Sequence, residues 1–255
     1  MNAYKAFVKK EWMEWVRTYK LLIMAAVFLM LGIMGPLAAR YLPELMKSMM
    51  AQGVNITLPP PSEGDAWEQF FKNVCQIGLI VFVLALSGTL AGEYAAGTLT
   101  HLVPKGLSRR SVILAKATMA GTVWTGAYLL CFGASLFYTR FFWEPGIPVI
   151  RLALAVLGLW LFGIFLISAV LLGGALFRST YACLLFTGGV VAVQFLVNLL
   201  PSAGAYLPLA LATQNMPLIR QTVEPTDILI PFAITMLLTA LFLWLACRLL
   251  RRKAL

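Results

Sequence analysis

The sequence predicts an all-α membrane protein with six transmembrane helices, an amphipathic interfacial helix at the N-terminus, and both termini in the cytoplasm. Three observations lead to this prediction. Hydrophobic residues make up 61% of the 255 residues and the mean hydropathy is +0.86, whereas soluble domains have roughly 45–50% apolar residues. Charged residues are only 12%, about half of the usual roughly 25%. The apolar residues also form six long runs, which indicates a single transmembrane domain over residues 1–255.

The six apolar runs are long enough to cross a bilayer. A helix needs about 20 residues, at ~1.5 Å rise per residue, to cross the ~30 Å hydrocarbon core. Charged residues bracket nearly all of the runs, as expected where a helix leaves the membrane. The fifth run is the most polar, because it contains two glycines, Gln194 and Asn198. The predicted spans cover residues 21–39, 73–92, 117–139, 152–177, 179–199 and 228–247.

The distribution of Lys and Arg predicts the orientation of the chain. Six spans place both termini on one side, and the cytoplasmic connections of membrane proteins are enriched in Lys and Arg. The side that holds the termini carries Lys5, Lys9, Lys10, Arg17, Lys20, Lys105, Arg109, Arg110, Lys116, Arg178, Arg248, Arg251, Arg252 and Lys253. The other side carries Arg40, Lys47, Lys72, Arg140, Arg151 and Arg220. The first side is therefore predicted to be cytoplasmic.

Residues 1–20 are too charged to cross a bilayer and are predicted to form a helix in the membrane interface. On a helix, a mostly aromatic stripe forms at spacings of three or four residues: Tyr4, Val8, Trp12, Trp15 and Tyr19. Basic residues, among them Lys9, Lys10 and Arg17, occupy much of the remaining surface. This pattern predicts aromatic side chains toward the acyl chains and basic side chains toward the headgroups. A cleavable signal peptide is disfavoured, because the charged lead is too long for one.

The two longer segments on the predicted outer side differ in character. Residues 40–72 contain the sequence VNITLPPPSEGD, which favours a Pro-rich turn over a helix. Residues 200–227 contain four prolines yet remain moderately apolar. We expect this second segment to form short helices or a re-entrant hairpin packed on the outer leaflet, where protein shields the backbone. A plain extracellular loop is the alternative.

Composition and motifs argue against several functional classes. The net charge is +10, but Lys and Arg stand at the borders of apolar runs rather than in a basic–aromatic groove, so we expect no nucleic-acid partner. The four cysteines and the single histidine lack the spacing of a metal site. The chain has no GxxxxGK[ST], HExxH or GxSxG motif, and no Asp or Glu lies well inside a span. We therefore expect no enzyme activity and no cofactor on this chain.

The stretch Gly92–Lys116 is the longest predicted cytoplasmic segment between two spans. Its short apolar part, residues 98–103, is followed by Pro104 and Gly106, which interrupt a helix. Ser108 is placed to cap the helix that carries the third span. This pattern predicts a helix–turn–helix on the cytoplasmic face rather than a slack loop.

One carboxylate in this stretch stands at the lipid boundary. Glu93 directly follows the second predicted span, where an acidic side chain needs water, a basic partner or a helix N-terminus. Arg109, Arg110 and Lys116 are the basic candidates nearby in sequence. Simple solvation among the headgroups is the alternative.

These residues resemble the permease subunits of type-2 ABC transporters. The family has an acidic residue, a Gly-Thr-Leu turn, and Ser-Arg-Arg before a helix that begins Ile-Leu…Lys. The matching residues are Glu93, Gly97, Thr98, Leu99, Leu102, Leu107, Ser108, Arg109, Arg110, Ile113, Leu114 and Lys116. The leader, with Lys10, Glu11 and Arg17, and the first span ending at Gly35 and Pro36 resemble the elbow helix and first span of the same family. The sequence departs from the family at residues 104–106, since the family's proline stands closer to the Ser-Arg pair.

The resemblance implies a function and partners. Such a permease forms a dimer with a second copy or a close paralogue in the cell membrane and binds two ABC ATPase subunits, which hold ATP and Mg. Residues 93–116, named the coupling segment below, would contact the ATPase. The resemblance assigns this contact to Glu93, Gly97, Thr98, Leu99, Leu102, Val103, Ser108, Arg109, Arg110 and Lys116. Export is the implied direction, and the substrate is not readable from the sequence.

Two other functions stay open. An ion-gradient-driven secondary transporter would show internal repeats between its halves, and the sequence shows no convincing repeat. A membrane scaffold without cargo has the same composition as a permease. Transport measurements distinguish all three.

Overall fold

The computed structural model describes residues 3–49, 60–95, 109–177, 179–200 and 204–252. Within these ranges the chain is almost entirely helical and contains no β-strand. Six of its helical segments are long and apolar enough to cross a membrane, which confirms the predicted all-α class with six spans. The helices are α1 (Ala3–Arg17), α2 (Lys20–Met49), α3 (Glu63–Asn73), α4 (Leu79–Ala95), α5 (Arg109–Phe142), α6 (Val149–Leu176), α7 (Thr180–Asn198), α8 (Ala210–Thr213), α9 (Asn215–Ile219) and α10 (Leu229–Arg252).

The second span begins earlier than its charge pattern predicts. The sequence places its start at residue 73, beside Lys72, but α3 begins at Glu63 and continues through a π-helical turn, Val74–Gly78, into α4. The backbone amide and hydroxyl of Ser62 both donate to the Asp65 carboxylate at 2.8 Å, which caps this early start. Lys72 lies on the exposed side of the helix, so its charge does not end the helix there.

The first span also continues beyond its predicted end at residue 39. α2 runs through Pro36 and Pro43 to Met49. A proline inside a helix removes one backbone donor and favours a kink rather than an end. On the extension, Arg40 pairs with Glu44 one turn later at 3.0 Å. This exposed pair supports the helix outside the apolar run only modestly.

The most buried helix is α6. Its most apolar window has a mean hydropathy of 2.6 and is 78% buried, because it is apolar on every side and other helices surround it. Trp124 and Tyr128 on α5 face it, with their rings stacked at 5.3 Å between centroids. The Trp124 indole donates to the Trp160 carbonyl oxygen at 2.9 Å, and the Tyr128 hydroxyl to that of Val156 at 2.8 Å. These aromatic residues pack α5 on α6 and satisfy their own polar atoms.

Small residues bring α2 and α5 into close contact. A Cβ atom on Gly32 would lie 2.5 Å from the carbonyl oxygen of Cys131, so only glycine fits there without moving a backbone. The Ser135 hydroxyl donates to the Gly32 carbonyl oxygen at 2.9 Å. Contacts of this kind are typical of helix pairs in membranes, where packing rather than water exclusion holds helices together.

The bundle has two ends with different chemistry. At one end, named the basic end here, α1 and the start of α5 pack against the ends of α6 and α10 through Phe7, Ile113, Ala175 and Leu250. At the opposite end, the carboxylate of Glu63 accepts hydrogen bonds from the amides of the α5–α6 connection (residues 143–148), including that of Gly146 at 2.7 Å. The basic end is the one that the Lys and Arg distribution predicts to be cytoplasmic.

Candidate functional site

A buried ion pair joins three helices at the basic end. The ammonium of Lys116 on α5 lies 2.9 Å from a carboxylate oxygen of Glu11 on α1, and both side chains are only 1% exposed. The same ammonium donates to the carbonyl oxygen of Thr89 on α4 at 3.0 Å. Lys10 shares the Glu11 carboxylate at 3.1 Å. We name the contact between Glu11, Lys116 and Thr89 the basic-end junction.

Aromatic residues of α1 bury this junction. Phe7 and Trp15 stand one turn before and one turn after Glu11, and their exposed fractions are 3% and 2%. The Lys116 ammonium lies 5.8 Å from the centroid of the Phe7 ring, within the range of a cation–π interaction. Removing two charges from water costs several kcal/mol per ion, and such a pair recovers this only with good geometry and further hydrogen bonds. The junction therefore specifies the docked position of α1 more than it adds to stability.

The structure changes the predicted orientation of the N-terminal helix. The sequence directs its aromatic stripe toward acyl chains, but Trp15 lies in the protein core and the Tyr4 hydroxyl lies 2.7 Å from that of Thr118 on α5. Trp12 is 44% exposed, and Lys9 and Arg17 are also exposed. The stripe is split because α1 packs against α5 and α2, which cover one edge of it. Lys10 is bound to Glu11 and Glu14 on the same helix.

Much of the predicted coupling segment lies outside the described residues. Gly97, Thr98, Leu99, Leu102, Val103 and Ser108 all fall there. Glu93 lies in the last turn of α4 and Arg109 is the first residue of α5, but their side chains are likewise outside the description. Arg110 is exposed and Lys116 is buried. Lys116 was one sequence candidate for pairing with Glu93, and the structure joins it to Glu11.

Sequence reasoning named Glu11 only as part of the family likeness and gave it no contact. A signal for its role is nevertheless present. Phe7 and Trp15 stand four residues on either side of Glu11, so all three side chains lie on one face of a helix. An acidic residue between two aromatic residues on one face predicts a buried carboxylate that needs a cation.

An apolar cavity lies between the spans. Its volume is about 340 Å³. The second, fourth and fifth spans line it together with α8, through side chains that include Leu84, Phe162, Leu184, Phe195 and Ala212. The π-helical turn contributes Cys75, and such turns in helices are frequent at functional sites. The cavity can accept an apolar group such as an acyl chain, and its lining offers no charged side chain.

The short helices α8 and α9 cover the opposite end of the spans, and polar contacts of the Gln194, Arg151 and Arg220 side chains hold this segment there. The Gln194 side-chain oxygen on α7 accepts a hydrogen bond from the Leu209 amide at 3.0 Å. The guanidinium of Arg151 on α6 donates to the carbonyl oxygens of Leu218 and Val223 at 3.2 and 2.9 Å. Arg220 pairs with Glu68 on α3 at 2.6 Å. We name residues 204–224 the cap.

The described residues hold no group of three or more His, Cys, Asp or Glu side chains that could bind a metal ion. Two candidate sites described so far are the charged junction at the basic end and the apolar cavity under the cap.

Comparison with known proteins gives one informative likeness. No family model matches the chain. The chain is similar to the uncharacterized transmembrane protein YxlG of Bacillus subtilis (strain 168), with 23% identity over 218 residues that cover 84% of each chain. The likeness extends over most of both proteins. Together with six apolar helices, it identifies a multi-pass membrane protein.

Proposed function

We propose that this chain is the membrane-spanning permease subunit of an ATP-driven exporter, and that separate ATPase subunits bind it at the basic end. The observation that carries the proposal is the basic-end junction. It joins the N-terminal helix to the second and third spans beside the coupling segment that resembles type-2 ABC permeases.

The position of the junction suits force transmission. α4 ends at Ala95 and α5 begins at Arg109, so a partner that moves the chain between them moves the second and third spans directly. Lys116 lies two turns into α5 and Thr89 lies near the end of α4, and the pair with Glu11 adds α1 to the same unit. A push on the coupling segment would thus reach three helices together.

The free energy required to switch the permease between two states is of an ordinary size for the binding of such a partner. Changing a two-state permease from 1:99 to 99:1 needs about 5.5 kcal/mol of differential binding. A rigid unit can transmit this free energy to the spans, whereas a slack loop would dissipate it. Two copies of the chain would pair, and the path for the cargo would open between or within them.

The apolar cavity supports an apolar cargo. Its lining comes from three spans and the cap, and a change in the tilt of α4 would change its shape. A lipid or another molecule with an apolar group is the cargo class that this lining favours.

A charge reversal in the coupling segment tests the proposal. Arg109→Glu with Arg110→Glu should abolish co-purification of a co-expressed ABC ATPase subunit from the same organism, because complementary charge steers and orients such contacts. Membrane insertion should be unchanged, as shown by the yield in the membrane fraction. The matched control is Lys72→Glu with Arg140→Glu, two exposed cations at the opposite end, which should leave co-purification intact.

Unchanged co-purification of the Arg109/Arg110 variant would count against the assignment. Transport assays then separate the rival functions. ATP-dependent movement of cargo in vesicles that hold both proteins supports a permease, and movement by the lone subunit under an ion gradient indicates a secondary transporter. No movement under either condition, despite a stable complex, indicates a scaffold.

A further inference from the structure

A cavity lined by arginines lies between α5 and α10 at the basic end. Its volume is about 460 Å³. Three arginines line it together with four residues of apolar character: Arg110, Arg248, Arg251, Leu114, Leu243, Trp244 and Cys247. We name it the arginine pocket. It is separate from the basic-end junction and from the cavity under the cap. It shares Arg110 with the proposed ATPase contact, and its other lining residues have no part in the proposed function.

The charged side chains in the described lining of the arginine pocket are all arginines. Its described lining contains no Asp or Glu. The guanidinium of Arg248 lies 5.1 Å from the centroid of the Trp244 ring, and this cation–π contact orients it. Arg110 is in the first turn of α5, where the helix dipole adds partial positive charge. Guanidinium groups that line one cavity are suited to bind the oxygens of a phosphate.

Apolar side chains of the arginine pocket extend to the outside of the bundle. Leu114 and Trp244 are 47% and 53% exposed, so their side chains reach from the pocket to the outside of the bundle. Further along α10, Leu241 and Leu237 are also exposed. A ligand with phosphate at one end and acyl chains at the other would place its phosphate against the arginines and its acyl chains against the apolar side chains. A free anion would use only the arginines.

Simple topology is the alternative explanation of these arginines. Basic residues collect at the cytoplasmic ends of spans without binding anything in particular. Dispersed charges would satisfy that rule equally well, however. Here two helices that are distant in sequence bring their arginines to one concave site with a tryptophan beside them.

We propose that the arginine pocket binds a phosphate anion, and that the source of this phosphate is the headgroup of an anionic phospholipid in the adjacent leaflet. The lipid phosphate lies between Arg110 and Arg248, and the start of an acyl chain lies along Leu114 and Trp244. Binding at this place ties the start of the third span to the end of the sixth.

Native mass spectrometry of the purified chain tests the proposal. The probes are phosphatidylglycerol, phosphatidylcholine with the same acyl chains, and inorganic phosphate as a competitor. We expect phosphatidylglycerol to bind more tightly than phosphatidylcholine and to resist inorganic phosphate. Arg248→Gln should weaken phosphatidylglycerol about tenfold, the effect expected for one charged hydrogen bond.

Two further variants control for charge and folding. Lys5→Gln removes one exposed positive charge from α1 at the basic end. Lys5 does not line the arginine pocket, so this variant should leave phosphatidylglycerol binding unchanged. Arg248→Lys keeps the charge but loses the two-pronged geometry, and it should bind between wild type and Arg248→Gln. Circular dichroism checks that each variant keeps its helix content.

Each outcome has a defined meaning. Equal binding of the two lipids would overturn the proposal, and so would equal losses in Lys5→Gln and Arg248→Gln. Displacement of phosphatidylglycerol by inorganic phosphate, with the loss still specific to Arg248→Gln, would keep the anion site but overturn its assignment to a lipid. The lipid test uses variants of Arg248 and Lys5, whereas the ATPase co-purification test uses variants of Arg109 and Arg110. The failure of either proposal therefore leaves the other standing.

Discussion

At the scale of single residues, the pair between Glu11 and Lys116 is the most sensitive contact that the structure describes. Removing one member of a buried ion pair leaves the other as a poorly compensated charge, at a typical cost of about 3–5 kcal/mol. We predict that Lys116→Met lowers the free energy of unfolding in lipid or detergent by about 3 kcal/mol, since Lys10 still reaches the Glu11 carboxylate from its exposed side. Thermal or denaturant unfolding measures this change.

A second substitution distinguishes charge from packing at this site. The double variant Glu11→Gln with Lys116→Met removes the isolated carboxylate, so it should be more stable than Lys116→Met alone. Lys10→Met alters only an exposed partner and should cost less than about 1 kcal/mol. The stability loss of the double variant is compared with the losses of Glu11→Gln alone and Lys116→Met alone. If it equals their sum, the junction contributes through packing and not through its charges.

The residue scale also separates what the sequence predicts from what it does not. Periodicity places Trp15 on a stripe of α1 together with Trp12, but it cannot show which neighbour covers that stripe. In the structure Trp15 is buried and Trp12 is not. Arg109, Arg110 and Lys116 are close to Glu93 in sequence, which made them candidate partners, and this pairing stays a prediction because the Glu93 side chain lies outside the description. The contact of Lys116 with Glu11 spans 105 residues and depends on tertiary packing that no local pattern contains.

At the scale of helices, the cap depends on Arg151. This guanidinium is 14% exposed and donates to the carbonyl oxygens of Leu218 and Val223. We predict that Arg151→Met makes the amides of residues 215–224 exchange with deuterium at least about tenfold faster. One charged hydrogen bond contributes about 1.5–3 kcal/mol, and 1.4 kcal/mol corresponds to a factor of ten.

The partner residue Glu224 provides the control for this prediction. Its side chain is 68% exposed and lies 3.4 Å from Arg151, so water and salt screen the pair. Glu224→Gln should leave the exchange of residues 215–224 almost unchanged. Equal acceleration in both variants would mean that the ion pair, and not the carbonyl contacts, holds the cap.

Helix boundaries show the limits of hydropathy at this scale. All six predicted spans have a helical counterpart, since each apolar run is long enough to require one. The starts and ends differ where a helix continues beyond the apolar run. α3 does so because Trp67 and Phe70 are buried between helices, while Lys72 points outward. Hydropathy detects continuous apolar runs, whereas α3 is apolar on one face and charged on the other, so its additional turns were not predicted.

At the scale of the whole molecule, different kinds of contact hold the two ends of the bundle. The opposite end is held by hydrogen bonds from connections and the cap, such as those of Glu63 and Arg151. Among the described residues, an apolar cluster and the buried ion pair of Glu11 with Lys116 contribute to holding the basic end. Spans whose opposite end is fixed by such hydrogen bonds would pivot about that end when a partner moves the basic end. This asymmetry is what the proposed ATPase coupling at the basic end requires.

The orientation of the bundle is the remaining prediction, and the coupling role depends on it. The sequence has fourteen Lys and Arg in the termini and connections of the predicted cytoplasmic side, against six on the other side, which predicts that the basic end is cytoplasmic. Lys5→Cys and Thr222→Cys place a thiol at exposed positions of the basic end and of the cap; the half-buried Cys75 and Cys247 are replaced by alanine to lower background. A membrane-impermeant maleimide should label position 222 in intact cells and position 5 only after permeabilisation. The reverse pattern would place residues 93–116 outside, where no ATP-driven partner could act on them.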